Sequence, residues 1–201
     1  EAAIEAPDID AVVVAVPPRF HRELTVRALE AGKHVLVEKP AFPRMEDYQA
    51  VLEARTRTGR IVLVGENDHY KPLAVSLRRL VAEGLIGEMV FAHFTTLVKK
   101  LKGVDDWRND EAMAGGDAFF EEGIHWLHVA GSLGPRITSI TGFRPPASAR
   151  GPDRRAKSML AAFEYDTGAA GAVYYSREIP SLFRGLRLSK LFGREGVITF
   201  E

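Results

Sequence analysis

AVVVAVPPRFHRELTVRALEAGKHVLVEKP, residues 11–40, decides the fold. Its opening run, Ala11 to Val16, is continuously apolar, the pattern of a central parallel strand covered on both faces. From His21 to Ala31, the residues Leu24, Ala28 and Leu29 recur at helical spacing and Gly32 closes the segment. HVLVE, His34 to Glu38, then reads as a second strand. A helix from about Met45 follows, with Met45, Tyr48 and Leu52 on one stripe. It ends before Gly59, and IVLVG, Ile61 to Gly65, makes a third strand. Such crossovers force parallel pairing with right-handed connections, so all three carboxyl ends share one sheet edge. Polar and ionisable residues gather there, where open α/β sheets bind ligands. They are Pro17-Pro18-Arg19-Phe20-His21, Glu38-Lys39-Pro40 and Glu66-Asn67-Asp68-His69.

Beyond Asn67 the pattern changes. A helix over about Pro72 to Glu83 carries Leu73, Leu77, Leu80 and Val81 on one side and stops at Gly84. Strands then dominate: Met89 to Val98, Ile137 to Phe143, Ser158 to Tyr165, Ala170 to Ser176, Leu186 to Phe192 and Val197 to Phe200. One more helix, about Asp117 to Gly131, lies between the first two. Turn signals at Asp166-Thr167-Gly168 and Gly193-Arg194-Glu195-Gly196 argue for antiparallel pairing. The expected fold is therefore α/β plus α+β. Residues 1–67 would form the C-terminal part of a Rossmann-like parallel sheet, and residues 68–201 an open-faced, mostly antiparallel sheet domain, incomplete at its end. The segment RPPASARGPDRR, Arg144 to Arg155, reads as a surface loop.

Composition narrows the function. Lys plus Arg and Asp plus Glu each total 27, so the formal net charge is zero and no basic field exists to hold a nucleic acid. The longest aliphatic run falls far short of the ~18 residues of a membrane-spanning helix, so no membrane partner is expected. The absence of cysteine removes disulfides, thiolate metal sites and a cysteine nucleophile, and it fits a reducing, cytoplasmic compartment.

Four stretches in fixed order carry a resemblance: DIDAVVVAVPPRFH, AGKHVLVEKP, WRNDEAMAGG followed by EEGIHWLH, and LRLSKLFGREGVITFE. Together they resemble the Gfo/Idh/MocA family of NAD(P)-dependent sugar and polyol oxidoreductases, over the whole chain. The first is similar to the strand and turn that pack against the cofactor. The second is similar to the family's EKP motif, and the third to its WR and GGG-x-L-x-D-x-G-x-H-x-x-D stretch. The resemblance implies NAD or NADP as cofactor, a small-molecule sugar or polyol as substrate, and a homodimer or homotetramer formed through the open sheet face.

A lysine at the mouth of a parallel sheet can end a strand in solvent, or it can place its ammonium against a developing alkoxide. The EKP resemblance gives Lys39 the second role and implies a cis bond before Pro40. Glu121 and His125 stand four apart, so a helix puts them on one face. Histidine is the usual proton carrier near neutral pH. By resemblance, His125 removes the substrate's hydroxyl proton and Glu121 supports it. The cofactor contacts implied by position are Pro17, His21, Glu38, Lys39, Asn67, Trp107 and Arg108.

The sequence departs from the family pattern at three places. Glu121 stands where aspartate is usual, and His128 stands where a second aspartate is usual. Glu121, His125 and His128 also fall at i, i+4 and i+7, a spacing open to a zinc-class ion; ordinary amphipathic helices share it and no HExxH accompanies it, so no metal is expected. The third departure is that no G-x-G-x-x-G lies in these residues. The chain is therefore expected to be a piece of a longer enzyme, with an exposed sheet edge and apolar face. The alternative is a non-catalytic sugar- or nucleotide-sensing relative. Lys99, Lys100 and Lys102 read as a solvated basic loop that could also grip an acidic sugar.

Overall fold

The computed structural model describes residues 2–99, 107–146, 156–180 and 188–201. The chain divides into two compact units, Glu1–Glu66 with Asp105–Gly116, and Asn67–Val104 with Asp117–Glu201. The division falls one residue before the expected boundary. The stretch with Trp107 and Arg108, expected in the second domain, groups with the first unit. Lys100, Lys102 and most of the segment read as a surface loop lie outside the described residues, as do the first residues of the strand expected over Leu186 to Phe192.

The first unit runs α1 (Ala2–Glu5), β1 (Ala11–Val14), α2 (His21–Glu30), β2 (His34–Glu38), α3 (Met45–Thr58) and β3 (Val62–Gly65). The strands pair in parallel in the order β1-β2-β3. Val14, Val35 and Val37 point to one face and pack on Ala28 and Leu29 of α2 and on Val51 and Ala54 of α3. Each fully buried valine or leucine contributes about 1.5–3 kcal/mol to that layer. Val13, Leu36 and Leu63 sit side by side on the other face and are exposed. Within this chain β1 stands at one end of the three-strand order, and α2 and α3 both pack on the Val14, Val35 and Val37 face. The stripe expected to seat α3 is corrected. Met45, Tyr48 and Leu52 are exposed, while Asp47, Val51 and Ala54 are buried. Small side chains let α3 approach α2 closely, and buried Asp47 is held by Arg44 at 3.1 Å and Arg22 at 3.7 Å. A short helix, α5 (Glu111–Ala114), follows the Trp107–Asn109 turn. It leads to Gly115, whose φ of 76° and close approach to Pro43 exclude a larger residue.

The second unit contains α4 (Pro72–Ala82), β4 (Met89–Leu97), a π-helical turn at Phe119–Gly123 and α6 (Ile124–Gly131). Strands β5 (Ile137–Phe143), β6 (Ser158–Tyr165), β7 (Ala170–Ser176), β8 (Ser189–Gly193) and β9 (Val197–Phe200) complete it. Six strands form one sheet in the order β5-β6-β7-β4-β8-β9. All described pairs are antiparallel except β4 with β7, which is parallel. One face packs Phe94, Phe163, Val173, Tyr175 and Leu191 against Leu77 of α4 and Val129 and Ala130 of α6. The opposite face is open, with Phe91 56% and Tyr174 43% exposed. The single α-helix expected from Asp117 is instead a π turn running into α6, because the Phe119 ring fills the space where residue 123 would carry a Cβ and only glycine fits.

Candidate functional site

In the first unit the carboxyl edge of the sheet gathers the loops that follow β1 and β2. Pro17, half-buried, opens a 3₁₀ turn at Pro18–Phe20 that leads directly into α2. Glu38 closes β2 and is exposed, and its carboxylate accepts a hydrogen bond from the Lys39 backbone N–H at 3.2 Å. Lys39 is half-buried, and the Lys39–Pro40 peptide is cis. His21, expected to touch a cofactor, is 0% exposed. Its Nε2 lies 2.7 Å from the Val16 carbonyl oxygen, and its Nδ1 lies 3.2 Å and 3.0 Å from those of Pro40 and Ala41. Its ring faces loop backbone. Trp107 is 40% exposed, and the Arg108 guanidinium lies 5.1 Å from its ring centroid, a cation–π pair. Arg19 reaches toward the same stretch with a 3.5 Å contact to the Met113 sulfur.

The second unit holds His69, His125 and His128. Asn67, exposed, begins a 3₁₀ turn at Asn67–Tyr70, whose next two residues each meet α6. Asp68 Oδ1 is 3.8 Å from His125 Nδ1 and 2.6 Å from the Lys71 ammonium. His69 Nδ1 is 3.0 Å from His128 Nε2, so one ring donates and the other accepts. The Arg78 guanidinium donates to the His69 carbonyl at 2.7 Å and fixes that turn.

Glu121 lies on the π turn with its carboxylate 3.2 Å from Arg177. Glu122 meets the same guanidinium at 2.8 and 3.0 Å and also accepts the Tyr175 hydroxyl at 3.0 Å. Burial pushes the Tyr175 hydroxyl well above its ordinary range. Burial alone would lower Arg177, but its hydrogen bond to Glu122 and the charge nearby hold it above its ordinary value. The three side chains at i, i+4 and i+7 thus face different partners: Glu121 faces Arg177, His125 faces Asp68 and His128 faces His69. Lys39 belongs to the first unit, His125 and Glu121 to the second.

Sequence reasoning did not assign Asp68, His69, Tyr175 or Arg177. The first two carried a usable signal, being polar residues directly after a strand. Arg177 carried none, since its partners stand 55 and 56 positions earlier and no spacing rule spans that gap.

The comparisons with known proteins agree with this architecture. A sequence model described as an oxidoreductase family with an NAD-binding Rossmann fold matches residues 1–66, and a GFO/IDH/MocA C-terminal domain matches residues 75–199. The chain is 35% identical over 127 residues to a 1,5-anhydro-D-fructose reductase of Ensifer adhaerens, covering 62% of this chain and 38% of that protein. It is 30% identical over 183 residues to the NAD⁺-dependent scyllo-inositol 2-dehydrogenase of Bacillus subtilis strain 168, covering 88% of this chain and 51% of that one. The chain therefore spans about a third to a half of the length of these two relatives. A levoglucosan dehydrogenase solved with NADH and levoglucosan superposes with a TM-score of 0.85 at 25% identity, over all of this chain and 56% of that one. By the match of both family models, one to the first third of the chain and one to most of the rest, the chain belongs to the GFO/IDH/MocA oxidoreductase family.

Proposed function

We propose that this protein is an NAD(P)-dependent oxidoreductase that exchanges a hydride with a secondary alcohol carbon of a sugar, cyclitol or related polyol. The observation that carries the reading is Lys39, half-buried at the carboxyl edge of a parallel sheet in a chain of this family. The relatives named above act on sugars and inositols. The residues present fit part of a dinucleotide site. Pro17, Glu38 and Lys39 line an edge of loops, Asn67 follows β3, and Trp107 with Arg108 offers an aromatic face beside a cation. No G-x-G-x-x-G occurs in the 201 residues, so a pyrophosphate cradle of that type is not among them.

When bound, the nicotinamide supplies or accepts the hydride. On this reading His125 takes the hydroxyl proton as the carbonyl forms and returns it in the reverse direction. Asp68, 3.8 Å from His125, orients the ring. The Lys39 ammonium hydrogen-bonds the substrate oxygen and stabilises its developing negative charge. Glu121 acts as a positioning residue, tied to Arg177. Among the described residues no helix is long and apolar enough to cross a membrane. A cytoplasmic homo-oligomer associating through the open sheet face completes the proposal.

The test is turnover by the full-length protein with NAD⁺ or NADP⁺ on a panel of cyclitols and aldoses, followed by nicotinamide absorbance. Lys39→Ala is expected to lower kcat by about 10²–10³-fold, the cost of removing one oxyanion donor. Unchanged turnover in that variant overturns the assignment of Lys39. Cofactor and sugar binding without turnover in the wild type points to a sensing relative instead.

A further inference from the structure

We propose that His21 is a positioning residue for Lys39, a buried tie that locks the loop after β1 to the loop after β2. The inference rests on the oxidoreductase reading for its consequence and on the hydrogen-bond geometry for its substance. His21 is 0% exposed, and a polar side chain buried so completely is costly unless its nitrogens are satisfied. All three of its neighbours are backbone carbonyl oxygens: Val16 at 2.7 Å, Pro40 at 3.2 Å and Ala41 at 3.0 Å. Carbonyl oxygens only accept, so the ring holds a loop through the nitrogen that carries the hydrogen, and its two nitrogens stand within hydrogen-bond distance of both loops. Phenylalanine would fill the volume and hold neither loop.

The position of His21 makes a helix-forming role a poor account of it. It is the first residue of α2, where the helix dipole favours acidic groups, and it makes no capping contact there. Its place at the helix start instead aims the ring at the sheet edge. Val16 immediately precedes Pro17, and Pro40 and Ala41 immediately follow Lys39. The Lys39 backbone is thereby fixed on both sides, by the Glu38 carboxylate on its own N–H and by the His21 ring on the two carbonyls after it. Because one buried ring stands between both loops, a shift of the Pro17 turn is transmitted to Lys39. An ammonium that must meet a developing charge tolerates little displacement, since an error of about 1 Å can cost about 100-fold in rate.

Full-length His21→Phe and His21→Gln are compared with the wild type, Gln retaining a donor that can hold one loop. Three quantities are read: amide hydrogen exchange in segments 15–20 and 38–44, acetylation of Lys39 relative to the other lysines, and kcat with the cofactor KM. In His21→Phe both segments are expected to exchange faster together, the acetylation of Lys39 to change, and kcat to fall about 10- to 100-fold with the cofactor KM within about threefold. His21→Gln is expected to lie between the two. Should His21→Phe not fold, the same comparison stands on His21→Gln alone. Faster exchange in only one segment, or a lowered melting temperature with kcat and Lys39 acetylation unchanged, overturns the proposal. A wild type that turns over no substrate defeats the oxidoreductase reading, while exchange and acetylation still decide whether His21 positions Lys39.

Discussion

Arg177 is 5% exposed, and a charge so placed persists only because its surroundings answer it. Glu122 meets it through two oxygens and Glu121 through one. In turn the guanidinium lets two adjacent carboxylates stand together, and Tyr175 supplies a further hydrogen bond to Glu122. Truncating one partner of such a group leaves charge buried without compensation. Arg177→Met is expected to destabilise the protein by about 3–5 kcal/mol. The triple variant Arg177→Met, Glu121→Gln, Glu122→Gln is expected to recover part of that loss, because the repelling charges go with the cation. Urea unfolding of both variants measures the coupling, and strictly additive losses would show that the cluster does not act as a unit.

At the scale of elements, close approach decides what each turn tolerates. Gly193, at the end of β8, has no room for a Cβ, which would fall on the Ile86 backbone carbonyl, and its N–H donates to Gly196 at 2.9 Å. Gly196, in the same turn, would place a Cβ 3.6 Å from an Ile86 methyl, an ordinary contact. Gly193→Ala is therefore expected to cost about 1–3 kcal/mol, the range for overpacking, and Gly196→Ala clearly less. Thermal unfolding of the pair checks this, and equal losses would contradict it. The strands β5, β6, β7 and β9 were legible to the residue because Gly and Asp turns bound short apolar runs. The seat of α3 was not, since bulky Met45, Tyr48 and Leu52 outweigh Val51 and Ala54 in any apolar stripe, yet the smaller pair permits the close packing. The π turn was hidden for a related reason. It depends on the Phe119 ring lying over Gly123, and the spacing of Glu121 and His125 alone reads as one α-helical face. Among the candidate residues, Lys39 and His125 could be read from motifs within single segments. The partners Asp68, His69 and Arg177 arrive from other segments, and only the folded chain brings them in.

At the scale of the whole molecule, the open face of the six-stranded sheet is the feature that bears on assembly. Glu164, Ala170, Phe91, Phe192 and Val197 form one cross-strand row, and Ala162, Ala172, His93, Lys190 and Thr199 form the next. Ala170, Phe91 and Phe192 fill the middle of the first row, with an acid, Glu164, on β6 and a base, Lys190, on β8. A two-fold axis along the strands would lay Glu164 of one copy toward Lys190 of the other, the self-complementary pattern of an isologous dimer. His93 sits at the centre. It bonds Thr95 at 2.8 Å within its own strand, packs edge-on to Tyr174 of β7 at 5.1 Å and pairs across to Lys190 of β8. Burial, and then the charge of Lys190, lower it below its ordinary value of 6.5, so it is neutral at pH 7. In the window from 6.5 down to that lowered value the unfolded chain binds a proton that the folded chain refuses, so stability falls as pH falls through it. If the proposed homo-oligomer uses this face, its association is expected to weaken in the same direction, as a new cation appears beside Lys190. Sedimentation equilibrium of the full-length protein should show dimers at pH 7.5 that dissociate on acidification. Phe91→Glu should be monomeric throughout, and His93→Gln should keep its association as the pH falls. Dimers of Phe91→Glu as tight as the wild type would place the interface elsewhere, and an unchanged acid response in His93→Gln would assign it to other groups.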